Sequence, residues 1–154
     1  MSFRVRAATL SDLPGVLAIC RGHPRRTAQI DIAPQQFAAA VDDAAFAGGD
    51  SEHQLLVAVQ DTAPDRVLAF LLLRHLPDRL TLLQGLGVDP TETGRGIGGR
   101  LLHRALGEAC LREAAQIQTR RGPGDAYLAR FGFRPGLKGQ LARDLRRAPP
   151  AVAA

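Results

Sequence analysis

The chain opens on an alternation. Phe3, Val5 and Ala7 against Arg4 and Arg6 predict a strand with one wet face over residues 3–7. Ser11 then precedes apolar positions at Leu13, Val16, Leu17 and Cys20, spaced as on one side of a helix. Ser11 suits the cap, and Pro14 is tolerated because it falls in the first turn. Residues 21–33 are polar, broken by Gly22 and Pro24, and read as a loop. A second helix is expected from Pro34, with Phe37, Ala40, Val41 and Ala44 on one side and Gly48 and Gly49 at its end.

The period then changes. Residues 55–59 and 67–73 are near-continuous apolar runs, as strands covered on both faces require. Residues 60–66, with Pro64 and two aspartates, read as a hairpin connection, and Leu76-Pro77-Asp78-Arg79 as a second tight turn into a third run over 80–88. Connections this short forbid helical crossovers, so the three strands are antiparallel neighbours. Gly85 and Gly87 mark a bulge or a close backbone approach near the end of the third run. Helical spacing returns from Gly98, at Leu101, Leu102, Ala105, Leu106, Ala109 and Cys110. A weaker strand over 114–119, a short helix over 125–130 and an alternating strand over 140–145 follow, and 148–154 reads as a frayed tail. The order β-α-α-β-β-β-α-β-α-β predicts an α/β layered domain on a mixed sheet.

At 154 residues the chain suits one domain. Hydrophobic residues make up 45% and charged residues 23%, which excludes general disorder. The net charge is +5, and Lys138 is the only lysine among 20 basic side chains. Nucleic-acid binding is permitted by that charge but not indicated, because the arginines are scattered and aromatics are few. Cys20 and Cys110 are expected to be small buried residues on helix faces, not a disulfide or a metal site. The longest aliphatic run is too short to span a bilayer, and the N-terminus lacks an apolar stretch of signal-peptide length. A cytoplasmic protein is the expectation.

The segment richest in chemistry runs from Val88 through Asp89, Pro90 and the glycines Gly94, Gly96, Gly98 and Gly99 into the helix. The first turn of a helix leaves amides without intrahelical partners at its partly positive end. Glycines let an anion approach that backbone closely, and Arg95 and Arg100 add charge beside it, the arrangement that holds a phosphate or diphosphate. Gly94-x-Gly96-x-x-Gly99 formally fits the dinucleotide fingerprint. That fold, however, places the turn after the first strand of a parallel unit and ends the next strand on an acid, whereas here the strand closes an antiparallel meander. A P-loop is excluded because no Gly-Lys-Ser/Thr occurs.

These residues resemble the GNAT superfamily of N-acetyltransferases, whose acetyl-CoA motif is Gln/Arg-x-x-Gly-x-Gly/Ala between the fourth strand and the third helix. Thr93-Gly94-Arg95-Gly96-Ile97-Gly98 matches both glycine positions but carries threonine at the first. Three further stretches agree in order and spacing: Arg6 to Leu13 with the family's opening, Leu86-Gly87-Val88-Asp89-Pro90 with its strand exit, and Phe131-Gly132-Phe133-Arg134-Pro135 with its late Gly-Phe element. The resemblance covers roughly residues 3–146. It implies a mixed, mostly antiparallel sheet with helices on both faces, in one domain over 1–146 followed by a disordered tail. It also implies that the fourth and fifth strands splay and that pantetheine lies between them, paired with the backbone of Leu86 and Val88 beside Gly87. Amides from Arg95 through Ile97, Gly98 and Gly99 to Arg100 would then hold the diphosphate, with no metal.

Acetyl transfer to an amine needs a neutral amine, donors for the developing oxyanion and a proton for the thiolate. The Val88 N–H is the expected oxyanion donor. The family's tyrosine, four residues before the glycine of Gly-Phe, aligns with Leu128; Tyr127, the only tyrosine, falls one position earlier, about 100° around a helix and normally toward the core. Tyr127 is thus either the acid or a packing residue, solvent being the other proton source. No base is named. His75 is read as an exposed turn residue that could act through water, and His103 as solvated. His23 and His53 carry no signal, Asp42 and Asp43 read as a solvated helix face, and Asp89 as support for the turn. The acceptor, a primary amine of a small molecule or peptide, would be chosen by residues 21–33, with Arg25 and Arg26, and by 134–139. A monomer or homodimer is expected. The competing functional class is a non-catalytic acyl-CoA-binding module on the same fold, motivated by Leu128 and the missing strand carboxylate.

Overall fold

A computed structural model of the chain describes residues 2–22, 35, 39, 52–122 and 124–145. The strands are β1 (Phe3–Ala7), β2 (His53–Gln60), β3 (Ala63–Leu76), β4 (Leu80–Val88), β5 (Gln116–Arg120), β6 (Arg134–Pro135) and β7 (Gln140–Asp144). The helices are α1 (Leu13–Gly22), α2 (Ile97–Leu111) and α3 (Asp125–Ala129). The seven strands form one sheet in the order β1-β2-β3-β4-β5-β7-β6, antiparallel throughout except where β4 runs parallel to β5. This is the mixed, mostly antiparallel architecture that the element order and the resemblance imply. The expected helix over 34–49 lies outside the described residues apart from Gln35 and Ala39, which are helical. Of the loop expected over 21–33, Arg21 and Gly22 instead end α1, since a glycine is tolerated at a helix end; the rest of it and the expected tail lie outside the described residues.

Two apolar layers hold the sheet. Val16 and Ile19 of α1 pack on Leu55, Val57, Val59, Phe70 and Leu72. On the other face, Ile97, Leu101, Leu102 and Ala105 of α2 meet Leu56, Leu71, Leu73, Leu83 and Leu86, together with Leu128 and Phe133 from around α3. Because β2 and β3 are buried on both faces, their apolar runs are continuous and not alternating.

The structure corrects several expectations. β3 is longer than 67–73 and takes in residues 63–66, which read as a loop because Pro64 and Asp65 are poor strand formers. Those residues are largely exposed and lie where the β2–β3 register shifts, a place that spares Pro64 from the regular ladder. β6 is only two residues long, too short to leave a period. Cys110 is exposed, because it lies just off the stripe that ends at Ala109; Cys20 is half-buried, and neither is in a disulfide.

His75 is not an exposed turn residue. It is buried, and a polar chain runs through it. Arg104 donates to Glu108, whose carboxylate accepts the Gln54 amide at 3.0 Å. That turns Gln54 Oε1 toward His75 Nε2 at 2.5 Å, so Nε2 carries the proton and Nδ1 accepts from the Thr81 hydroxyl at 2.9 Å. Burial first, and Arg112 second, push the His75 imidazole down to about 4. The chain fastens α2 to the sheet through β2, β3 and β4. A second fastening joins β1 to the turn before α1: buried Asp12 takes two nitrogens of Arg6 at 2.7 and 2.9 Å and the Thr9 amide at 2.8 Å. Burial alone would raise the Asp12 carboxyl, but these bonds hold it below its ordinary value.

Two outcomes follow from this packing. The fold favours neutral His75, so its contribution is complete above the unfolded value near 6.5 and is lost as pH falls toward 4. Denaturant titrations should show that loss, up to about 1.4 kcal/mol per pH unit from this site, and His75→Gln should remove it. At Gly87 a Cβ would stand 2.6 Å from the Phe70 ring and 3.2 Å from Ile19. Gly87→Ala should therefore lower unfolding free energy by about 1–3 kcal/mol.

Candidate active site

The site is built where β4 leaves β5. The ladder between them joins Leu80, Thr81 and Leu82 to Gln116, Ile117 and Gln118, and the Thr119 hydroxyl then donates to the Leu83 carbonyl at 2.9 Å. Beyond this, β4 continues to Val88 with no strand partner on that side among the described residues. On its other side β4 stays paired with β3, but the register slips: Leu72 faces Gly85 while Leu73 faces Leu83. Gln84 is therefore the extra residue of a bulge, one position before the glycines that signalled it. The extra residue re-phases the strand. Thr81 and Leu83 face α2 before it, Leu86 and Val88 after it, and Gly87 turns toward Phe70 and α1.

Backbone direction follows from the same phase. The Asp89 amide donates to the Leu68 carbonyl at 2.7 Å, so Asp89 and Gly87 point at β3. By alternation Leu86 and Val88 point the other way, into the parting beside β5. These two residues are the ones that the resemblance singles out.

Past Val88 the chain makes a tight 3-10 turn over Pro90–Glu92, capped as expected by Asp89, whose Oδ1 accepts from the Thr91 amide at 2.9 Å. Thr93 bonds back to the Pro90 carbonyl and is exposed. Gly94 and Gly96 then adopt φ of +84° and +77°, a region that L side chains rarely enter. A Cβ on either would meet nothing within 4 Å, so the glycines serve the turn's conformation and leave the outer side open. Gly96 caps α2 without a side-chain bond, and the first bond of the helix is Arg100 N–H to the Gly96 carbonyl. The amides of Ile97, Gly98 and Gly99 precede that bond and stand at the positive end of a 15-residue helix.

The flanking arginines are not simply beside the loop. Arg95 pairs with buried Glu92 at 3.3 Å, and the Arg100 guanidinium lies 5.1 Å over the Phe3 ring.

Leu128 and Tyr127, neighbours on α3, take different places. Leu128 is buried in the core under α2. Tyr127 is half-buried, with its hydroxyl against the first turn of α2: a Cβ at Gly98 would lie 2.7 Å from that oxygen and 3.3 Å from Val88 Cγ2. Gly98 is thus the gap through which the phenol reaches the end of β4. The hydroxyl has no hydrogen-bond partner among the described residues, and burial, only partly offset by Arg130, raises its pKa, so it keeps its proton at neutral pH. Phe131 packs on Tyr127 at 5.3 Å and carries exposed His103 on its edge. The register misled because α3 has only five residues, and its neighbours decide which side faces inward.

His75 is remote from this place. It pairs with Thr81 whereas Val88 pairs with Ala69, six residues or about 20 Å along β3. His23, Arg25, Arg26, Asp42 and Asp43 lie outside the described residues. Among the described residues no group of three or more His, Cys, Asp or Glu is placed to hold a metal ion, and no helix is long and apolar enough to cross a membrane.

A parted β4–β5 edge leading into a glycine turn and a helix N-terminus is the arrangement of acetyltransferases of the GNAT type. A family profile described as the acetyltransferase (GNAT) domain matches residues 51–135, and the chain belongs to that family. The fold is shared with solved structures of low identity. One is the PaiA N-acetyltransferase of Thermoplasma acidophilum in complex with coenzyme A, 15% identical, with a TM-score of 0.72 over 94% of this chain and 99% of that one. Another is a GNAT family acetyltransferase of Brucella melitensis in complex with acetyl-CoA, 19% identical, with a TM-score of 0.65 over 99% and 94%. A third is the ribosomal-protein-S18-alanine N-acetyltransferase of Escherichia coli, 17% identical, with a TM-score of 0.67 over 99% and 100%. Among curated protein sequences no match is found.

Tyr127 is the only tyrosine, so an ultraviolet pH titration reads it alone. The phenol should ionise above the usual 10 in the wild-type protein. Gly98→Ala should push it outward and bring the transition back toward 10.

Proposed function

We propose that the protein transfers an acetyl group from acetyl-CoA to a primary amine of a small molecule or peptide, by direct attack in a ternary complex. The observation that carries this reading is the continuity of the parted β4 edge with the open glycine turn. Together they offer strand-like pairing for an extended amide chain and, one step on, amides for a diphosphate. The residues present fit coenzyme A. The outward side of Gly94 and Gly96 is clear of protein atoms, and no side chain competes for the cap of α2. In this reading Leu86 and Val88 pair with the pantetheine amides beside Gly87. The turn from Arg95 through Ile97, Gly98 and Gly99 to Arg100 takes the diphosphate. Thr93, in place of a long side chain, leaves that work to the amides.

The thioester supplies an activated acyl group: the nitrogen–carbon bond forms, the carbon–sulfur bond breaks, and one amine proton ends on sulfur. The protein's part is to orient and to move charge. The Val88 N–H, directed away from β3, donates to the carbonyl oxygen as negative charge develops there. Tyr127 holds its proton at the mouth of the same gap, delivers it to the sulfur and regains one, through solvent, from the nitrogen that has attacked. An amine with a pKa near ~10.4 arrives mostly protonated. His75 is too far along the sheet to take that proton, and Glu92 is tied to its arginines. The reading therefore assigns deprotonation to solvent or to the acceptor's own low pKa.

The test is release of free thiol from acetyl-CoA in the presence of a panel of amines. Turnover is expected with at least one acceptor. Tyr127→Phe should lower kcat by about 10²-fold with KM for acetyl-CoA little changed, since the phenol is asked only for a proton. Tight binding of coenzyme A with no thiol released by any amine would favour the acyl-CoA-binding module instead.

A further inference from the structure

Glu92 is a buried carboxylate between two arginines, and its two oxygens are treated unequally. Oε1 accepts a hydrogen bond from Arg66 of β3 at 3.2 Å, and the same guanidinium nitrogen reaches the Thr91 hydroxyl at 3.5 Å. Oε2 is also shut away from water yet has no hydrogen bond; its close cation is Arg95, at 3.3 Å in poor alignment. A buried charge must keep one cation, and Arg66 suffices. Arg95 is the dispensable one. It is half exposed and stands between Gly94 and Gly96, on the stretch of turn where nothing packs.

We propose that Glu92 is a positioning residue that parks Arg95 away from the mouth of the turn, and that Arg95 leaves it for the diphosphate when coenzyme A binds. This rests on the cofactor reading above. A diphosphate gathered by the first amides of α2 offers Arg95 what Glu92 Oε2 does not, oxygens that a planar guanidinium can meet with two aligned donors. Glu92 keeps Arg66 after the exchange, so the carboxylate is never left alone. The parked pair also bears on selectivity, because an unpaired arginine beside the first amides of α2 would attract any small anion. Glu92 thus lowers affinity for the diphosphate in general and makes binding depend on a ligand large enough to engage the amides as well.

The experiment is a double-mutant cycle on coenzyme A affinity, by calorimetry, with Glu92→Gln and Arg95→Ala alone and together. Glu92→Gln keeps an acceptor for Arg66 and frees Arg95, so it should tighten binding about threefold or more. Arg95→Ala should weaken binding several-fold, and should cost more when combined with Glu92→Gln than in the wild type. A merely structural Glu92 would, on removal, lower Tm and weaken binding, and the cycle would be additive; either result overturns the proposal. If Glu92→Gln does not fold, Glu92→Asp serves, because the shorter carboxylate withdraws from Arg95. Should the wild-type protein bind no coenzyme A, the cofactor reading fails and this inference with it. If the wild type binds and the cycle is additive, only the exchange fails.

Discussion

A backbone that leaves a sheet must find new partners for its amides or keep them for a ligand, and β4 is the strand that faces this choice. It is paired to β3 along its length, but only its first three residues are paired to β5. The Gln84 bulge sets the phase of what remains, so that Leu86 and Val88 present their backbone to the parting while their side chains stay under α2. Without the extra residue the same amides would face β3 and the same side chains would fall on the α1 side. The turn, the helix terminus and the phenol all take their positions from where β4 ends.

The parts around this strand serve to hold it open. Phe70 fills the space that Gly87 leaves, and any side chain there would collide with that ring and with Ile19 of α1. The chain from Glu108 through Gln54 and His75 to Thr81 locks α2 to the other end of the same strands. The amide-bearing first turn of the helix is thereby fixed relative to Val88 from a distance. A histidine in that role stays neutral at ordinary pH because burial disfavours the imidazolium and Arg112 adds to that effect. That places His75 among the structural residues.

Much of this was legible from residue spacing. The meander, the long helix and the glycine turn between them follow from changes of period and from breaker residues, which act locally. The glycines mark the turn because their backbone demands, φ above zero at Gly94 and Gly96 and close approach at Gly98, are properties of single residues. Spacing failed where a residue's role depends on a distant neighbour. His75 looked exposed because it is next to a turn, and only Gln54 and Thr81 on the flanking strands reveal it as buried. Spacing leaves Tyr127 either the acid or a packing residue, because a five-residue helix has too little period of its own to choose its side. Spacing also cannot show what Arg95 and Arg100 touch: the first pairs with Glu92 and the second lies over the Phe3 ring.

The sequence by itself determined the element order, the antiparallel meander, the glycine turn at the start of the long helix and the family. Each of these depends on local propensity or on short spacing. Only the tertiary structure decided which oxygen faces which amide: the bulge at Gln84, the inward turn of Leu128 and the reach of Tyr127 past Gly98. Those choices are made by packing between segments tens of residues apart, and no period in the chain encodes the volume that a neighbour leaves empty.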